Sequence, residues 1–189
     1  MTTIKMQNTQ SGYLELILGC MFSGKTTKLL EIYNMYRICD VDCCVVNYDK
    51  DKRYHEELLS THDKKMIPCI NVKHLREAVT SENVSKYTVF LINEGQFFDD
   101  VDDVVLDLVQ HHNKKVYVCG LDGDYKQNTF GKLLNLIPHC DNYSKLHAIC
   151  KKCKDGTLAS FSKRITTETD QEVIGSDNYI PVCRKCYNS

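Results

Sequence analysis

The chain has 189 residues, 42% of them hydrophobic, and a formal net charge of −1. That suits one ordinary domain with a real core, or one domain plus a small appendix, and it offers no electrostatic basis for binding nucleic acid or acidic lipid. No apolar run approaches the ~20 residues of a membrane span, and Met1 to Ser11 lacks the apolar core of a signal peptide, so the eleven cysteines read as thiols of a reducing, cytoplasmic compartment.

In chain order, residues 1–12 read as a flexible lead-in, and Tyr13 to Leu18 reads as a buried strand. It runs into Gly19-Cys20-Met21-Phe22-Ser23-Gly24-Lys25-Thr26, the pattern G-x-x-x-x-G-K-[ST]. Thr27 to Cys39 follows as a helix. Its apolar stripe is Leu29, Leu30, Ile32, Tyr33 and Tyr36. A strand turning through glycines into a helix aims successive N–H groups and the positive helix end at one point, as a polyphosphate requires. Lys25 is expected at the β/γ-phosphates of ATP, and the Thr26 hydroxyl on Mg²⁺.

Val41 to Tyr48 reads as a second strand, ending in a charged loop from Asp49 to Glu57. That loop is either a solvated surface or brings Lys52 or Arg53 to the nucleotide phosphates. Met66 to Val72 reads as a third strand, and Leu75, Ala78 and Val79 mark a short helix. Thr88 to Ile92 is a continuous apolar run suited to a strand buried on both faces. At its end stand Asn93 and Glu94, where a P-loop protein places metal-positioning and base residues. Asp99 and Asp100 start a helix carrying Val101, Val104, Val105, Leu108 and Val109, running to about His112. Val116 to Cys119 is another strand. The alternation argues for a parallel sheet covered by helices on both faces, with ligands at the carboxyl ends of its strands.

After about Pro138 the character changes. Cys150-Lys151-Lys152-Cys153 and Cys183-Arg184-Lys185-Cys186 form two Cys-x-x-Cys knuckles. Four thiolates suit structural, tetrahedral Zn²⁺ with no position left for catalysis. The metal then staples a domain too small to hold itself together, and Gly156 to Pro181 becomes a loop lashed at its base. The expected division is a lead-in (1–12), a P-loop α/β domain (13–138) and a zinc-binding unit (139–189).

At this point the sequence resembles the type II (cellular and poxvirus-like) thymidine kinases, from about Tyr13 to Tyr187. The carriers are Leu18 to Thr26, Glu94-Gly95-Gln96-Phe97-Phe98, Leu121-Asp122-Gly123 with Phe130-Gly131, both cysteine knuckles, Val173-Ile174-Gly175 and Tyr179. The resemblance implies a RecA-like sheet with a small zinc-ribbon domain carrying a lasso loop. It implies transfer of the γ-phosphate of ATP to the 5′-hydroxyl of thymidine, and of deoxyuridine, with Glu94 taking the proton. Asp51, Lys52 and Arg53 match a nucleotide-contacting triplet, and Asn93, Gly95 and Gln96 join the ATP site. Gln171, Glu172, Val173, Ile174 and Gly175 match the lasso that reads the base through its main chain, with Tyr179, Tyr125, Leu121 and Phe130 beside it. Phe161 and Ser162 match positions bordering the base's 5-substituent. A homotetramer, feedback inhibition by dTTP and a role in nucleoside salvage are implied in the same way.

Three positions depart from that pattern. Asn93 stands where the family usually has Asp, which removes a negative charge from the metal site and implies weaker Mg²⁺ binding. Cys20 stands where Pro is common, and Ser176 replaces a second glycine. Rival readings are a kinase for another deoxynucleoside, a nucleotide-binding protein without turnover, and a zinc-ribbon nucleic-acid-binding module with an ATP switch.

Overall fold

The structure is a computed structural model, and it describes residues 11–49, 58–60, 66–173, 175 and 177–189. The expected lead-in lies almost wholly outside the described residues. Hydrophobic runs in the first two-thirds of the chain become a six-stranded sheet. In chain order its strands are β1 (Tyr13–Gly19), β2 (Cys43–Tyr48), β5 (Ile70–Val72), β6 (Val89–Ile92), β7 (Lys115–Gly120) and β8 (Asn142–Leu146). Their spatial order is β5-β2-β6-β7-β1-β8, and every neighbouring pair is parallel.

Alternation along the strands divides the core in two. Leu14, Leu16 and Leu18 of β1 face one layer, with Phe90, Ile92, Val116 and Val118. There they meet helix α3 (Val101–Gln110) through Val101, Val104, Val105 and Leu108, and also Leu133 and Leu136 of a 3-10 stretch at Leu133–His139. Ile17, Val45, Val89, Leu91 and Cys119 face the other layer, which helix α1 (Lys25–Ile38) covers with Leu29, Leu30 and Ile32. The burial of each such aliphatic side chain contributes about 1.5–3 kcal/mol. Apolar stripes on both helices therefore place the sheet between them, and its carboxyl edge is left for chemistry.

Several expectations are refined. The run Met66 to Val72 is two strands. β4 (Met66–Pro68) pairs antiparallel with β3 (Leu58–Ser60), while β5 pairs parallel with β2. Pro68 has no N–H to give a ladder, and the break comes directly after it. The helix expected near Leu75 is a 3-10 turn, Leu75–Glu77. The Asp100 carboxylate, expected to cap α3, instead accepts from the Leu75 and Arg76 amides, each at 3.0 Å. Asp102 and Asp103 remain in the first turn of α3, where negative charge suits the helix dipole. A short helix, α2 (Ser81–Lys86), follows Thr80, whose side chain accepts from the Asn83 amide. No residue of α2 is buried, so it carries no apolar stripe to give it away.

Beyond Pro138 the sheet continues into β8, an edge strand on the outer side of β1. The remaining elements are small: β9 (Ala148–Ile149) with β10 (Leu158–Ala159), β11 (Phe161–Arg164) with β12 (Tyr179–Val182), and helix α4 (Arg184–Asn188). Ala148, Cys150, Ala159 and Val182 form their core, and Cys20 from the loop after β1 is buried in the same cluster.

Candidate active site

The loop between β1 and α1 curls because its glycines allow it. Gly19 has φ 151°, and a Cβ there would lie 2.6 Å from the Leu146 carbonyl oxygen and 2.7 Å from Ser23 Oγ. Gly24, at φ 85°, is the left-handed residue that opens α1. Lys25 is 8% exposed, and its ammonium donates to the Cys20 carbonyl at 2.9 Å. Ser23 Oγ is buried and has no hydrogen-bond partner among the described residues. No acidic residue stands in the first turn of this 14-residue helix. An inward ammonium, an orphan hydroxyl and a helix N-terminus without carboxylates suit phosphate oxygens, so the residues present fit ATP. The Met21 amide, by contrast, donates to Ser162 Oγ at 2.9 Å, tying the loop to β11.

At the carboxyl end of β6, Asn93 is 1% exposed. Its Oδ1 accepts from the Thr26 hydroxyl at 3.3 Å and the Cys119 thiol at 3.0 Å. Thr26 and the end of β6 thus meet as P-loop chemistry requires, and a hydroxyl backed by an amide oxygen suits Mg²⁺ held partly through its waters. Glu94 adopts left-handed backbone, φ 54° and ψ 44°, a conformation that costs a side-chain-bearing residue roughly 1–3 kcal/mol. Gln96 donates to its carboxylate at 2.6 Å, and the other end of the Gln96 amide accepts from the Leu121 N–H at 2.9 Å. Gln96 therefore pins Glu94 to the end of β7. Gly131, at φ 59°, leaves only 2.1 Å between a hypothetical Cβ and the Gln96 carbonyl oxygen, which explains the glycine after Phe130. Phe130 lies edge-on to Phe97, which stacks on Tyr48 at 5.1 Å.

The segment matched to the lasso is organised from below by Arg164, which sequence reasoning missed. This guanidinium, 9% exposed, donates to the carbonyls of Glu168, Asp170 and Gln171 and to the Tyr179 hydroxyl. It also lies 3.7 Å over the Tyr125 ring. The Tyr125 hydroxyl in turn donates to the Thr169 carbonyl, and Gln171 donates to the Asp124 carboxylate at 2.8 Å. Burial pushes the Asp124 carboxyl up, but donors from Gln171, Asn128 and the Lys126 amide outweigh it and hold the group below the usual carboxylate range. A single arginine in a polar strand has no periodic signature, so only the fold could reveal it.

The four knuckle cysteines meet as their spacing implies. Their Sγ atoms all lie within 4.8 Å of one another. Cys153 stands 3.4 Å from Cys186 and 3.7 Å from Cys183. Four ligands at ~2.3 Å from zinc lie ~3.8 Å apart, whereas a disulfide needs ~2.05 Å. Burial raises the Cys150 thiol, but N–H groups of Cys153, Cys183 and Lys152 bring it down to about 6, while the neighbouring sulfurs push Cys153 up to about 12. Four converging thiols at that spacing are the donor set a tetrahedral zinc ion takes up. The cluster fits Zn²⁺.

Other expected positions fall as follows. Phe161 packs at 5.5 Å against Tyr187, whose hydroxyl donates to the Tyr125 carbonyl. Glu172 and Val173 are half-buried, and Gly175 has φ 134°. Asp51, Lys52, Arg53, Ile174 and Ser176 lie outside the described residues.

The parallel sheet, phosphate loop and carboxyl-edge carboxylate define a P-loop nucleotide-binding α/β protein with a cysteine cluster suited to zinc. A family model described as thymidine kinase matches residues 12–187. The chain is 41% identical over 181 residues to the thymidine kinase of Yaba monkey tumor virus, covering 95% of this chain and 97% of that one. Over 177 residues it is 41% identical to the monkeypox virus thymidine kinase and 40% to that of vaccinia virus strain Ankara, each time covering 93% of this chain and 97% of the relative. The chain belongs to the thymidine kinase family.

Proposed function

We propose that the chain transfers the γ-phosphoryl group of ATP to the 5′-hydroxyl of thymidine, giving dTMP. The observation that carries this reading is Glu94, fixed at the end of β6 by Gln96 and next in sequence to Asn93, which contacts Thr26. Phosphoryl transfer asks a protein mainly for position and neutralised charge. Gly19 to Lys25 hold the phosphates, the amide groups and Lys25 absorbing charge. Thr26, backed by Asn93, would hold Mg²⁺, which would supply charge neutralisation for the transferred phosphoryl group. Glu94 accepts the proton of the attacking hydroxyl. Gln171 to Gly175, Tyr125 and Tyr179 cover the nucleoside, with Leu121, Phe130, Phe161 and Ser162 around it and Asp51 to Arg53 at the nucleotide. Arg164 holds that cover in shape.

Finer readings follow the same line. Deoxyuridine, lacking only the methyl, is a second substrate, and dTTP inhibits. Exposed Met35 and Ile38 on α1, and Ile149 beside Leu158 across β9 and β10, support assembly into a homotetramer. The organisation is a P-loop unit (13–138) and a zinc unit (139–189), the latter starting with β8 on the sheet edge. On this reading the chain is a nucleoside-salvage enzyme of the cytoplasm; no described helix is long and apolar enough to cross a membrane. The deciding experiment is transfer of labelled γ-phosphate from Mg·ATP to a panel of nucleosides. Thymidine should be labelled, and Glu94→Gln should lose about 100-fold or more. Label on no nucleoside, with ATP still bound, would rule the proposal out.

A further inference from the structure

Three asparagines stand in line across the carboxyl ends of β5, β2 and β6, and two of them have no part in the reading above. Asn47 is 3% exposed and Asn93 1%. The polarity of the line is set by a backbone group. The Tyr48 carbonyl can only accept, and Asn47 Nδ2 lies 3.4 Å from it and 2.9 Å from Asn71 Oδ1. Asn47 Oδ1 therefore faces Asn93, whose Nδ2 donates to it at 2.8 Å. The Asn93 oxygen is left pointing at Thr26 and Cys119. A hydroxyl that ligates a cation turns its lone-pair side to the metal and its hydrogen away, so it needs an acceptor behind it. One end of an amide can serve; the other, an NH₂, cannot. A carboxylate has no wrong end, so it would need no such support.

We propose that Asn47, backed by Asn71, is a positioning residue of the cation site, holding the Asn93 amide with its oxygen toward Thr26. The inference rests on the reading of the phosphate loop as a Mg·nucleotide site. Its test counts bound Mn²⁺ from the electron-spin resonance of the free ion, with the protein saturated in ADP. Asn47→Leu should weaken Mn²⁺ about fivefold, the worth of one hydrogen bond. Asn47→Ala, a smaller change, should do the same. On an Asn93→Asp background neither change at Asn47 should cost anything further, the double variants binding Mn²⁺ as Asn93→Asp alone does, because a carboxylate presents oxygen in both orientations. Equal Mn²⁺ affinity in the parent and both single variants would overturn the proposal. So would the same loss on the Asn93→Asp background, since that would mark simple structural damage. A parent that binds ADP but no Mn²⁺ would instead overturn the reading of the site itself.

Discussion

Asn93, on the proposed reading of the cation site, would shift the site's working range by one atom without removing its chemistry. Its oxygen accepts from Thr26 as a carboxylate would, but carries no charge to the cation. A hydrogen bond to a charged acceptor is worth roughly 1 kcal/mol more than one to a neutral acceptor. Asn93→Asp should therefore lower the half-saturating Mg²⁺ concentration about fivefold in a steady-state titration, leaving the KM for thymidine in place. An unchanged Mg²⁺ dependence would show that residue 93 does not act through the cation. At this scale the sequence is most legible: Gly19 to Thr26, Glu94 and the four cysteines announce themselves by spacing. Asn47 and Arg164 do not, because their contacts are with partners distant in sequence and neither belongs to a pattern.

The small C-terminal elements and the phosphate loop stabilise each other. Cys20 is buried among Ala148, Cys150, Ala159 and Val182, and the Met21 amide is satisfied by Ser162. Removing zinc with a strong chelator, or Cys150→Ser, should loosen β9 to β12 and the ATP loop together. Thermal unfolding should then begin at lower temperature and ATP affinity should fall in the same preparation. ATP binding unaffected by metal loss would separate the two units. Arg164 stands within the same elements and holds the segment proposed to cover the nucleoside. Arg164→Met removes the donor shared by three carbonyls and should raise the KM for thymidine at least about tenfold, since hydrogen bonds from a charged donor contribute ~1.5–3 kcal/mol each. The KM for ATP should change little, and equal effects on both substrates would count against a role in the nucleoside cover. Helices α1 and α3 and strands β1, β2, β6 and β7 are legible because each buries a continuous run or stripe. Strands β8 to β12 span two to five residues each, too few for periodicity to register.

For the whole molecule, stability should depend on acid in a definite direction. Asp124 is 8% exposed, and its donors outweigh burial and depress its carboxyl in the folded state. Burial at Asp102 is likewise outweighed, by Asn135, the Asp103 amide and Lys132. A depressed folded value stabilises the protein above the unfolded carboxylate range, and this is lost as protons are taken up below about pH 4. Melting temperature should fall steeply there, and Asp124→Asn should be less stable at neutral pH with a shallower acid slope. Strand order was the least legible feature, because pairing across the sheet joins residues far apart in sequence. One pairing bears on how the molecule comes into being. β1 lies between β7 and β8, so neither neighbour exists until about 100 residues after it have been added. At ~5–20 residues per second, the strand that ends in the ATP loop leaves the ribosome roughly 5–20 s before anything can pair with it. An apolar strand with both edges bare for that long is a template for association with other chains. Yield on rapid expression should therefore be governed by chaperone supply more than by the stability of the finished fold.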